Sequence, residues 1–320
     1  MSKFVKYNLC VIEPAQATGL VKRIYRQMNQ ENAGVHGPFL IHSSVPNLLA
    51  GIWALFRETQ IASTVPRVDL ETIALVIAEQ NQCPWCIEAH STALANTSQN
   101  QEIAQWAKAA QNPDDPALKN PPFKPEQMSE YVAVVLLWQY INRMSNALLI
   151  DSAWVAFGQF KQPYLKLMSW VFEKFVLTKP NKAGLSLEFL ETHDLPKHLE
   201  FMQNTNIAAA LSHLHHTLQT AIDTALPVTV QIFALQKIKE WRGQHMGLSR
   251  QWVNEMVKDL SDEHQASAKL VLLTAFAAYQ LEQGIVDQYR KYYPDNAALL
   301  TATAWASYHA ATRVAGWVKI

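Results

Sequence analysis

The residues in this 320-residue chain with the most to offer chemically lie close together: Glu71, Cys83, Cys86 and His90. Two thiols three positions apart can make and break a disulfide or bind a soft metal ion. Pro84 follows Cys83 directly and suits the first position of a helix, so Cys83 becomes the cap and both sulfurs sit at a helix N-terminus. Free backbone N–H groups and the positive end of the helix dipole stabilise a thiolate there, and a lowered thiol pKa is the expectation. His90 follows Cys86 by four residues, which puts imidazole and sulfur on one helical face. A base beside a nucleophile is what activation requires.

Glu71 is less usual. Three, four and seven positions after it stand Ala74, Leu75 and Ala78, so its carboxyl lies on an apolar side of its helix. Buried carboxylates are rare without a partner or a purpose, and desolvation favours the protonated form, which could pass a proton to or from the site.

The elements that must carry these groups are helices. Apolar residues recur at three and four positions, glycine is scarce at 10 residues, and alternation of strand type is hard to find. Helices are expected over Leu48 to Ile61, Asp69 to Gln80, the cysteine pair to Leu94, and Glu126 to Leu149, with a Pro-rich break from Asn112 to Pro125. An aromatic helix, Tyr164 to Phe175, and the run Lys179-Pro180-Asn181-Lys182-Ala183-Gly184 form a connection. Helical spacing resumes over Leu195 to Ala225, Pro227 to Trp241, Ser249 to Leu260, Asp262 to Leu281 and Asp295 to Val318.

Val65-Pro66 with Leu70, Ile73, Ala74 and Ile77 resembles Leu226-Pro227 with Gln231, Ala234, Leu235 and Ile238, at an offset of 161. That offset sets Ile232, Gln244, Gly247 and Gln251 opposite Glu71, Cys83, Cys86 and His90, so the second copy lacks every reactive group. The expected organisation is a redox domain over 1–150, a connection over 151–194, and a degenerate helical repeat or scaffold over 195–320.

Bulk composition narrows the function. Hydrophobic residues are 49% and charged residues 17%, as in ordinary globular proteins, and 27 Lys+Arg balance 27 Asp+Glu, which leaves no basic field for nucleic acid. No run reaches the roughly 18 apolar residues that span a bilayer. The segment Met1-Ser2-Lys3-Phe4-Val5-Lys6-Tyr7-Asn8 lacks the apolar run of a signal peptide, which makes a cytoplasmic location the expectation. Three cysteines are too few for a disulfide framework, and in a reducing compartment the pair points to redox or metal chemistry.

Glu71, eleven residues, Cys83-x-x-Cys86, three residues, then His90 resembles the signature of the alkylhydroperoxidase D-like branch of the carboxymuconolactone decarboxylase family. The string Asn81-Gln82-Cys83-Pro84-Trp85-Cys86-Ile87-Glu88-Ala89-His90 is similar to the form in its peroxidase-related members, with looser likeness from about Pro38 to Leu149. The resemblance implies an all-α alkylhydroperoxidase D-like fold, homo-oligomeric assembly, and cofactor-free, metal-free reduction of organic hydroperoxides. It implies that Cys86 attacks the peroxide, Cys83 resolves the sulfenic acid as a disulfide, His90 and Glu71 relay protons, and a dithiol reductant restores the pair. Trp85 stands where the best-known branch has a histidine, so one relay group is missing here.

Two other readings compete with a peroxidase. One is a thiol-disulfide relay or redox sensor; the other is a zinc-stabilised interaction module, for which the pair and His90 supply three of the four ligands a closed site needs. Trp85 reads as a wall of the pocket and Cys10 as an isolated thiol. The His213-x-His215-His216 cluster invites a metal, but only His213 and His216 share a helical face.

Overall fold

Helices account for every regular element of the computed structural model, which describes residues 3–150 and 182–318. Among the described residues there is no sheet; one antiparallel bridge joins Val5 to Leu149. The all-α expectation holds. The aromatic helix expected over Tyr164 to Phe175 lies outside the described residues, as do Lys179, Pro180 and Asn181 of the connection.

The first half contains α1 (Gly19–Glu31), the short α2 (Gly37–Leu40), α3 (Pro46–Phe56), α4 (Arg67–Gln80), α5 (Pro84–Ala93), α6 (Gln101–Ala109) and α7 (Met128–Leu148). Proline at the first position opens α2, α3 and α5 or lies beside it, where its missing N–H is no loss. Leu48 through Phe56 are buried on all sides of α3, the pattern of a helix with no solvent face. The helix expected to run on to Ile61 instead widens into a π turn over Arg57–Ile61. The Thr59 hydroxyl donates back to the Leu55 carbonyl at 2.7 Å, and such back-bonding loosens the ladder locally.

The second half contains α8 (Thr205–Ala221), α9 (Val228–Glu240), α10 (Gln251–Val257), α11 (Asp262–Ala277), α12 (Gln283–Arg290) and α13 (Asn296–Val318). Expected to begin at Leu195, α8 starts ten residues later, because the Asn204 side chain accepts from the N–H groups of Asn206 and Ile207 and so caps the helix there. Pro196 opens a separate 3-10 turn over Lys197–Leu199 instead.

The long helices α7 and α13 lie against each other at the centre, and α3 lies against α8. Helix starts repeat with the offset seen in the sequence: Arg67 and Val228 are 161 apart, as are Gln101 and Asp262. Buried apolar residues nevertheless form one continuous core through both halves. The helices that carry the reactive residues, α4 and α5, pack on each other and on α7.

Candidate active site

The turn between α4 and α5 sets the cysteine pair. Gln82 takes a left-handed conformation (φ 51), its N–H donates to Glu79 at 3.1 Å, and the Cys83 N–H donates to Ala78 at 2.9 Å. That is a Schellman end to α4, and it reverses the chain so that Cys83 caps the next helix with Pro84 at its first position. Both sulfurs are buried as free thiols, 2.7 Å apart.

The expected lowering of the Cys86 thiol pKa is corrected by the structure. Burial pushes this thiol well above its ordinary value, and the hydrogen bond and nearby charge of Cys83 push the same way, against an opposing pull from Ser145. A helix N-terminus favours the thiolate, but burial away from water disfavours it, and Cys86 is 2% exposed.

Glu71 and His90 converge. His90 Nδ1 lies 2.7 Å from Glu71 Oε2 across the α4–α5 contact, and Arg67, one turn before Glu71 on α4, reaches Oε1 at 2.5 Å. Burial raises the Glu71 pKa, but the Arg67 charge and the His90 hydrogen bond outweigh it and hold the carboxyl down at about 2. The protonated Glu71 expected from its apolar side is therefore corrected: it is an ionised, paired carboxylate. Because a carboxylate only accepts, His90 carries its proton on Nδ1, and its buried Nε2 has no hydrogen-bond partner. The Trp138 ring from α7 packs edge-on to the imidazole with centroids 4.1 Å apart.

Cys86 and His90 both line a cavity of about 230 Å³, and Cys83 does not. One water needs only about 10–15 Å³ of such space, so the cavity has room for an organic molecule. Its walls are largely apolar: Phe39, Phe56, Trp85, Trp138 and Ile141. The expectation for Trp85 holds, and its ring stacks edge-on to Phe4 with centroids 5.7 Å apart. At Gly37 an added Cβ would come 2.9 Å from the Trp85 ring, so only glycine lets α2 approach this wall.

Besides Glu71, Cys83, Cys86 and His90, four residues not expected from the sequence lie near the cavity. Arg67 was legible as the residue four before Glu71. Trp138 and Ser145 reach the site from α7, and Gln60 comes from the π turn, a placement that no local spacing announces. Gln60 is 3% exposed and lines the cavity, with neither its amide nitrogen nor its amide oxygen paired.

Elsewhere, Cys10 is exposed and isolated. His213 accepts from the Glu191 N–H at 3.1 Å and bonds the Asn47 carbonyl at 3.0 Å, so both its nitrogens are engaged. Among the described residues no three His, Cys, Asp or Glu side chains are grouped to hold a metal ion, and the zinc-module reading gains no support. No helix among them is long and apolar enough to cross a membrane.

No family model matches the chain, and no solved structure matches it. An alkyl hydroperoxide reductase of Mycobacterium tuberculosis is 29% identical over 332 aligned positions, which cover 99% of this chain and 95% of that protein. The similarity spans both halves, beyond the Glu71 to His90 motif. With the all-α architecture, it supports placing the chain among the alkylhydroperoxidase D-like proteins.

Proposed function

We propose that this protein is a thiol-dependent peroxidase that reduces organic hydroperoxides. The observation that carries the reading is that Cys86 and His90, whose Nε2 is unpartnered, line the same apolar cavity, with the Cys83 sulfur 2.7 Å from that of Cys86. His90 Nε2 removes the Cys86 proton, directly or through the bound hydroperoxide, which offsets the raised thiol pKa. The Cys86 thiolate attacks the outer peroxide oxygen; the O–O bond breaks, the sulfur becomes a sulfenic acid, and the alkoxide leaves with the proton from His90 as an alcohol. Cys83 then displaces water from the sulfenic acid, and a dithiol reductant returns the disulfide to two thiols.

Glu71 holds the imidazole through Nδ1 and takes no proton of its own, since Arg67 keeps it ionised. Gln60 offers one donor and one acceptor to a second polar group on the substrate. The carboxymuconolactone decarboxylase placement, a cytoplasmic location and a scaffold function for 195–320 belong to this same reading. Homo-oligomeric assembly belongs to it too, supported by the exposed stripe of Val228, Ile232 and Leu235 along α9, which light scattering would test.

The raised Cys86 thiol pKa favours a second reading, a thiol-disulfide relay or redox sensor, because a scarce thiolate reacts slowly with peroxide. Turnover separates the two. With dithiothreitol present, the wild-type protein should consume cumene hydroperoxide catalytically, and Cys86→Ser should abolish this with its helical circular dichroism intact. Ready disulfide exchange with glutathione but no catalytic peroxide loss would favour the relay.

A further inference from the structure

Two arginines of the first half, the buried Arg57 and the half-buried Arg67, sit against carboxylates, and the buried Arg143 does not. Arg57 is paired with Glu31 at 2.7 Å and Glu58 at 2.8 Å, and Arg67 with Glu71 at 2.5 Å. Arg143, on α7, is 4% exposed and has no acidic partner among the described residues. Its Nε donates to the Ala275 carbonyl at 2.8 Å and its Nη1 to the carbonyl and side chain of Gln139 at 2.7 and 2.5 Å. Among the described residues no acceptor takes Nη2. Carbonyl dipoles offset part of the cost of a buried cation, but a full counter-charge is missing. Burial alone lowers this guanidinium to about 9, with no carboxylate pulling the other way.

Arg143 lines a cleft of about 280 Å³, distinct from the cavity at Cys86 and His90 and formed where α7 meets the second half. No carboxylate of the described residues lines it. Asn81, Asn146, Gln244 and His245 supply polar groups, while Trp241 and Phe276 supply flat apolar ones. The guanidinium carbon lies 5.8 Å from the Trp241 ring centroid, so a planar group can lie along the indole and still present an anionic end to Arg143. Gln244 and His245 are exposed and leave the cleft accessible at that rim.

We propose that this cleft is a binding site for a small organic oxyanion, a carboxylate or phosphate ester attached to a flat apolar group. The oxyanion accepts from Arg143 Nη2 and neighbouring amide groups and supplies the missing charge; the apolar part packs on Trp241 and Phe276. The site adjoins the redox turn: Asn81 Nδ2 donates to the same Gln139 oxygen that Arg143 holds, and Asn146 Nδ2 donates to the Asn81 carbonyl at 2.8 Å. This inference stands apart from the peroxidase reading and survives its failure.

Titration calorimetry of the full chain with benzoate and with phenyl phosphate, at fixed ionic strength and with benzyl alcohol as uncharged control, tests it. Saturable binding of at least one anion, none of benzyl alcohol, and at least a tenfold loss of affinity in Arg143→Gln are expected. The two anions distinguish a carboxylate from a phosphate preference. If Arg143→Gln does not fold, Gln244→Glu places a negative charge at the exposed rim and should weaken binding by a similar factor. Absence of saturable binding to the wild type, or unchanged affinity in the folded variant, would overturn the proposal and leave Arg143 as a brace between α7 and α11.

Discussion

Glu71 accepts a hydrogen bond from His90 Nδ1 at 2.7 Å, and that bond decides which nitrogen of the ring keeps a free lone pair. Were Nδ1 the unprotonated atom, Nε2 would carry the proton and could not take one from a thiol. The carboxylate therefore acts on the chemistry through the imidazole, and Arg67 acts through the carboxylate.

Removing the base should cost more than loosening it. His90→Gln should lower kcat/KM for cumene hydroperoxide by about 10²-fold, the scale of a positioned general base. Glu71→Gln keeps a side chain that can accept from Nδ1 but loses the charge paired with Arg67, and a smaller loss is expected. Steady-state peroxide consumption by the two variants checks the order; equal activity of His90→Gln and wild type would remove His90 from the mechanism.

Glu71 also links stability to pH. Its carboxyl is held at about 2 against an ordinary 4.5, so the folded state binds this proton less readily than the unfolded chain. A depressed acid contributes its full stabilisation above about pH 4.5 and loses it as the pH falls toward 2. At 1.36 kcal/mol per unit, the contribution is on the order of 3 kcal/mol. Urea midpoints should show wild type more stable than Glu71→Gln at pH 6, with the gap closing at pH 2.5; a gap that stays constant would contradict the ion pair.

The Cys86 thiol should titrate late. Since burial and Cys83 both raise its pKa, alkylation by iodoacetamide should be slow near pH 7 and still accelerating above pH 9. Cys83→Ala removes two of the three causes that raise it, and its rate profile should move to lower pH. An unshifted profile would mean that burial alone sets the thiol.

Gln60 should govern selectivity more than chemistry. Its unpaired amide has nothing to meet in cumene hydroperoxide, but it can bond a hydroxyl on a ring-hydroxymethylated analogue. Gln60→Leu should reduce kcat/KM for the analogue roughly 3- to 10-fold relative to the parent, the worth of one neutral hydrogen bond. Equal changes for both substrates would mean that Gln60 faces neither.

Much of the site was legible because its parts are local. Cys83, Pro84, Cys86 and His90 share one helix, and helical spacing alone puts the last two on one face. Looking forward from Glu71 revealed an apolar side and suggested a neutral acid; one turn back stands Arg67, whose charge reverses that conclusion. The lowered thiol pKa expected from the helix start failed because burial depends on α7 packing over the pair, a fact of tertiary structure. Gln60 and Trp138 enter from distant segments for the same reason. The long apolar helices were evident, whereas α1, α6 and α12 were not singled out, although Val21, Ile24, Tyr25 and Met28 lay a stripe along α1.

Mass spectrometry of Cys83→Ser treated with one equivalent of cumene hydroperoxide and a dimedone trap measures the central claim most directly. The account predicts a single dimedone adduct on Cys86, because that residue lines the cavity and its resolving partner is gone. An adduct on Cys10, or no adduct while the peroxide persists, would contradict it.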